Sequence, residues 1–163
     1  MRRRFPNVPA WLLIAVGAAV VVAVTGLWAS THTVLAAQGA ATAQTVWDRV
    51  FTPDQATRGS ATYLDECSRC HSETLAGGDF GPPVVGTAFW DEWKEKTAAD
   101  LFDLIRTTMP QDSPGRLSAS QIADVLAFLM KSNGFPAGET PLSSDAAALT
   151  LIRIKPAPAN RKQ

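Results

Sequence analysis

Cys67-Ser68-Arg69-Cys70-His71 sets two cysteines three positions apart with a histidine directly behind the second. That is the attachment pattern for a c-type haem. On a short helical turn the spacing lets both thiols reach the two vinyl groups on one edge of a porphyrin. The next residue then brings its imidazole under the iron. The chain has 2 cysteines in all and 2 histidines, and the other histidine, His32, lies in an apolar leader. Three other readings of the motif meet obstacles. A disulfide across a three-residue offset closes a small, strained loop and constrains the unfolded chain little. A structural zinc ion needs four ligands, and no second Cys/His pair completes the set. A thioredoxin-like redox pair belongs after a strand in a βαβ unit, whereas the residues before Cys67 read as helix.

Working outward, the start of the 163-residue chain is distinct from the rest. Arg2, Arg3 and Arg4 precede an uncharged stretch from Phe5 to Trp47, with an apolar centre at residues 10–29. Arginines before such a stretch mark an export signal or a membrane anchor, held with its basic end in the cytoplasm. The apolar length is just enough to span a bilayer, while Ala41-Thr42-Ala43 before Gln44 is a cleavage pattern. Both outcomes stand: cleavage near Ala43, or anchoring through residues 10–29. The expected organisation is therefore a leader over 1–43, one domain over 44–136 and a C-terminal extension over 137–163.

The chain carries 15 basic and 15 acidic residues, three of the basic ones in the leader and none of the acidic ones, so the rest of the chain has 12 against 15, a net charge of −3. A mildly acidic domain repels a phosphate backbone, which argues against nucleic acid as a partner. About 120 residues remain after Ala43, and a domain of that size buries a modest core on its own. A covalent haem at its centre would make fold and cofactor mutually dependent.

The pattern after Ala43 predicts helices joined by glycine- and proline-rich loops, with no convincing sheet. Thr52-Pro53-Asp54-Gln55 opens a helix to about Cys67, with a capping box and proline at the first helical position; Ala56, Tyr63 and Leu64 are expected inside. Gly59 lowers the helix propensity there by about 1 kcal/mol against alanine, which points to a close approach of another element. Residues 72–86 are a loop. Short helices come next, near 88–94 and from Thr97, the latter with Leu101, Leu104 and Ile105 on one face. Ser118 caps the clearest helix, with Ile122, Val125, Leu126, Leu129 and Met130 in one stripe, ended by Asn133-Gly134. A short helix is expected at 145–149.

A haem iron with one imidazole takes a second axial ligand or keeps an open position. Met130 lies on an apolar helix stripe, where methionine usually packs. Met109 precedes Pro110 in an irregular loop, which favours an extended backbone, so it is the candidate distal ligand beside His71. A His/Met pair raises the reduction potential and fills the site. A filled site suits electron transfer rather than catalysis.

The succession of helix, Cys67–His71 motif, proline-bearing loop, Met109 loop and final helix, from Pro53 to Gly134, resembles the small monohaem cytochromes c. The resemblance implies an all-α cytochrome c fold wrapped around one covalent haem c, attached outside the cytoplasm. It implies that the Pro82 carbonyl in Gly81-Pro82-Pro83 accepts a hydrogen bond from His71, and that Gly59 lies at a helix crossing against an aromatic ring, with Phe128 as candidate. Gly86-Thr87-Ala88-Phe89-Trp90-Asp91-Glu92-Trp93, Met109-Pro110, Pro114-Gly115-Arg116-Leu117-Ser118 and Asn133-Gly134-Phe135-Pro136 are similar to cytochromes that work with quinoprotein alcohol dehydrogenases. From that likeness Trp90 and Trp93 would offer indole N–H groups to a haem propionate, their alternative role being core packing.

The expected function is periplasmic electron transfer, not enzyme catalysis. The expected donor is a quinoprotein dehydrogenase, and the acceptor an oxidase or another cytochrome. A permanent cytochrome subunit of a dehydrogenase or oxidase complex is the alternative. A haem peroxidase or gas-binding protein would want a distal acid/base group, and no histidine other than His71 lies beyond the leader.

Overall fold

The computed structural model describes residues 42–159. The leader's arginines and apolar centre, on which the signal-or-anchor reading rests, lie outside the described residues. The elements are β1 (Gln44–Thr45), α1 (Pro53–Glu66), α2 (Ser68–His71), α3 (Gly86–Trp93), α4 (Ala98–Thr108), α5 (Ala119–Ser132), α6 (Ala146–Leu149) and β2 (Ile152–Arg153). The all-α expectation holds, with one addition: β1 and β2 form a two-residue parallel pair, Gln44 beside Ile152 and Thr45 beside Arg153. Among the described residues no helix is long and apolar enough to cross a membrane.

Local chemistry starts the principal helices. Thr52 with Gln55, Thr97 with Asp100, and Ser118 with Gln121 each make a reciprocal capping box, which satisfies two otherwise orphaned N–H groups per helix. At the far end of α5, Gly134 takes φ +82°. Gly134 N–H then donates to Lys131 O and Phe135 N–H to Met130 O, both at 3.0 Å. These two bonds are a Schellman stop, and they turn Phe135 back into the core.

The α1–α5 crossing is the centre of the packing. Gly59 sits where a Cβ would overlap the Asp124 carbonyl of α5. The backbones therefore touch directly, as a helix crossing at Gly59 requires. Phe128 lies one turn further along α5 and packs on Tyr63, ring centroids 5.3 Å apart. Beside the crossing, Arg58 clasps Asp124 with two bonds of 2.7 and 2.8 Å. The α5 stripe is buried as predicted. Two apolar assignments shift. Leu64 is 47% and Leu104 40% exposed, because the inward faces of α1 and α4 run through 55, 56, 59, 63 and 98, 101, 102, 105. Leu64 and Leu104 each fall one residue beyond the stripe.

The segment after residue 136 is packed on the domain. Gly138 N–H donates to Phe51 O at 2.7 Å. The buried Gln55 amide both accepts from Leu142 N–H at 2.6 Å and donates to Leu142 O at 3.0 Å. Leu149 and Ile154 have no exposed surface, and Ile154 exchanges backbone bonds with Glu95 and Lys96. The segment is a strap that ties the start of α1 to the α3–α4 junction.

Candidate functional site

The haem motif occupies the end of α1 and the single turn α2. Cys67 N–H still donates to Tyr63 O, and His71 N–H to Cys67 O at 3.0 Å, so both cysteines and the histidine lie on one hydrogen-bonded turn that follows α1. Both thiols are free and half-buried. Burial, with a smaller effect from Cys70, pushes the Cys67 thiol up to about 11. A redox-active or nucleophilic cysteine would be shifted the other way.

The turn is fastened from three directions. Tyr63 Oη donates to Ser72 O at 2.8 Å, and burial holds that phenol up at about 12. Gly77 N–H donates to His71 O at 3.0 Å. His71 Nδ1 lies 2.8 Å from Pro82 O. A carbonyl can only accept, so Nδ1 carries the proton and Nε2 keeps its lone pair for a metal. Gly81 packs closely here: a Cβ would lie 3.0 Å from both His71 Nδ1 and Cys70 O, tighter than an ordinary contact.

Asn133 holds the segment that carries Pro82. From the end of α5 its Nδ2 donates to Val84 O at 3.2 Å and Leu129 O at 2.9 Å, and its Oδ1 accepts from Gly86 N–H at 3.1 Å. In the sequence Asn133 reads only as a helix stop. Its side chain grips the chain two residues from Pro82, and so bears on His71 through the backbone.

Met109 is the C-cap of α4, with φ −121° and ψ 151°, the extended backbone that a following proline favours. Its side chain is half-buried against the core. Two ion pairs bring its loop to the haem motif: Arg116 to Glu66, and Arg69 to Asp112 at 3.9 Å. Met130 is buried in the α5 stripe with 1% exposure. Trp90 belongs to an aromatic cluster, edge-on to Phe135 at 5.6 Å and Phe89 at 6.3 Å. Trp93 lies under the Lys96 ammonium, 4.8 Å from its ring centre. These ring contacts of Trp90 and Trp93 are with Phe89, Phe135 and Lys96, not with the attachment turn.

The residues fit a covalent haem. Two free thiols, an imidazole with a fixed tautomer and a thioether on an apposed loop are the donor set that haem c takes. Cys67, Val84, Val85, Trp90, Trp93, Met109 and Phe128 are only partly buried where they meet the core.

Residues 54–129 match the family described as Cytochrome C oxidase, cbb3-type, subunit III. No curated protein sequence matches the chain. Among solved structures, the crystal structure of the sulfane dehydrogenase SoxCD from Paracoccus pantotrophus aligns with 24% identity and a TM-score of 0.43, over 66% of this chain and 61% of that one.

Proposed function

From a c-type cytochrome domain that holds one covalent haem c, we propose an electron-transfer protein of the periplasm whose iron is held between His71 and Met109. When bound, the haem supplies an iron that takes up and returns one electron. The chain's own residues do the rest. Cys67 and Cys70 fix the group covalently, so it is not lost on encounter with a partner. Pro82 keeps the His71 imidazole in one tautomer and orientation and strengthens it as a donor. Met109, a soft thioether, favours the reduced state and leaves no position for a substrate. Trp90 and Trp93 offer indole N–H groups to the propionates.

The observation that carries this reading is the 2.8 Å contact of His71 Nδ1 with Pro82 O, on the same turn as two free cysteines. It leaves Nε2 with its lone pair for an iron. The ferric holoprotein should show the weak long-wavelength band of sulfur–iron ligation. Met109→Ala should abolish that band, lower the potential and admit carbon monoxide to the ferrous form, while Met130→Leu should leave the band in place. The reverse pattern would make Met130 the ligand.

The donor we propose is a quinoprotein dehydrogenase, on the sequence likeness around Trp90, Met109 and Pro114, with an oxidase or another cytochrome as acceptor. The leader would deliver the domain across the membrane, by cleavage near Ala43 or as an anchor through residues 10–29. A second reading, a fixed subunit of an oxidase complex, is favoured by the family match over residues 54–129. Stopped-flow reduction by the reduced dehydrogenase separates them: a free carrier is reduced at micromolar protein and dissociates, and a fixed subunit co-purifies.

A further inference from the structure

The loop that carries Met109 has little of its own to hold it in place. Between Met109 and Ser118 its backbone bonds are short-range turns, Ser113 N–H to Pro110 O at 2.9 Å and Arg116 N–H to Ser113 O at 3.4 Å. Pro110 and Leu117 seat its two ends in the core, and the residues between them are mostly exposed. What reaches across is charge. Arg116 pairs with Glu66, the last residue of α1 and the one directly before Cys67. Arg69, inside the motif, faces Asp112 at 3.9 Å.

The two pairs are not equivalent. Arg69 and Asp112 have side chains 84% and 60% exposed, and such a pair is screened and contributes little. Glu66 is only 25% exposed, and its Oε2 is shut off from solvent with no hydrogen bond apart from the Arg116 guanidinium. A carboxylate oxygen in that position is costly unless a cation stays against it. A guanidinium is suited to the task, since its planar fork imposes direction as well as charge.

We propose that the Glu66–Arg116 ion pair is a latch that keeps the Met109 loop closed on the haem side of α1, so that Glu66 and Arg116 are positioning residues for the sixth ligand. This rests on Met109 as that ligand. Taking the thioether off the iron requires the loop to swing away from α1, and that movement parts Arg116 from Glu66. The closed state is favoured by whatever the pair contributes. An external ligand binds only to the fraction of molecules that are open, so its apparent affinity reports the latch.

The test uses ferric holoprotein titrated with imidazole, a neutral probe whose affinity a nearby charge change affects little. Glu66→Gln and Arg116→Gln should each raise imidazole affinity about fivefold, the equivalent of about 1 kcal/mol. The double variant should do no more than either single change, as expected for partners in one interaction. Arg116→Lys should fall between the wild type and Arg116→Gln. In a Met109→Ala background, where nothing remains to be unlatched, Glu66→Gln should leave imidazole affinity unchanged. An unchanged affinity in the native-Met109 variants overturns the proposal, and so does an equal rise in the Met109→Ala background. If Met109→Ala itself retains the sulfur–iron band, the ligand assignment fails and takes the latch with it.

Discussion

Replacing Gly59 with alanine sets two known effects against each other at one atom. Within α1, alanine is the better helix former by about 1 kcal/mol, so a glycine at the middle of a fourteen-residue helix stands to gain from the change. Against this, the new methyl would occupy the place of the Asp124 carbonyl, with Val125 N only 2.9 Å away. These are backbone atoms of a capped, buried helix and cannot rotate aside. Relief requires α1 and α5 to separate, which loosens Ala56 and Tyr63 from Val125, Leu126 and Phe128. Overpacking of a core costs about 1–3 kcal/mol where side chains can adjust, and the upper end applies where only backbones can. Subtracting the helix gain leaves Gly59→Ala destabilised by about 2 kcal/mol or more. Urea titration of the holoprotein, followed by far-ultraviolet circular dichroism and by the haem band, measures this directly. A variant as stable as the wild type, or more stable, would show that the crossing has room to spare and would refute the close-contact argument.

The same geometry sets three further outcomes. Asn133→Ala removes bonds to Val84, Gly86 and Leu129 and should cost about 1–3 kcal/mol in urea; by loosening the Pro82 segment it should also raise the reduction potential, because a less firmly bonded His71 is a weaker donor. Gln55→Ala leaves the buried Leu142 N–H and C=O without their partner, for a loss of about 2 kcal/mol, and native-state proteolysis should then cut between residues 138 and 150. Asp100 is held below the usual carboxylate range, first by the Thr97 backbone N–H and then by its hydroxyl. Its contribution is therefore present above about pH 4 and lost as pH falls through the lower folded value, so Asp100→Asn should lower the urea midpoint at pH 7 and converge on the wild type in acid.

What could be read from the sequence was what depends on near neighbours. Thr52 with Gln55 and Ser118 with Gln121 are three residues apart, and the capping boxes they predict are present. Cys67 to His71 lie on one turn, and the turn is there. Met109 before Pro110 predicted an extended backbone, and the backbone is extended. Gly59 announced a close approach without saying to what. The misplaced Leu64 and Leu104 have a related cause: apolarity alone widens a helix stripe by a residue, and only the neighbouring element decides its edge. The unread features join residues far apart. Asn133 bonds a segment 47 to 49 residues before it, and Gln55 meets Leu142 across 87. Neither has a spacing that recurs, and an asparagine after a helix reads as a stop whether or not its side chain is engaged.

The two sides of the site are also built from different forces, and that difference bears on function. The histidine side is tied by uncharged hydrogen bonds from Tyr63, Gly77, Pro82 and Asn133, several of them backbone groups that have no alternative partner. The methionine side depends on two buried end residues and an ion pair, Arg116 with Glu66. Charge pairs respond to salt and to neighbouring charge over roughly a Debye length, about 8 Å at physiological ionic strength, whereas the bonds around His71 do not. On the proposed His71/Met109 ligation, a partner protein that presents charge near Glu66 or Arg116 would therefore reach Met109 and leave His71 untouched. On that proposed ligation, the potential would follow the closure of the Met109 loop, while the histidine side keeps its geometry.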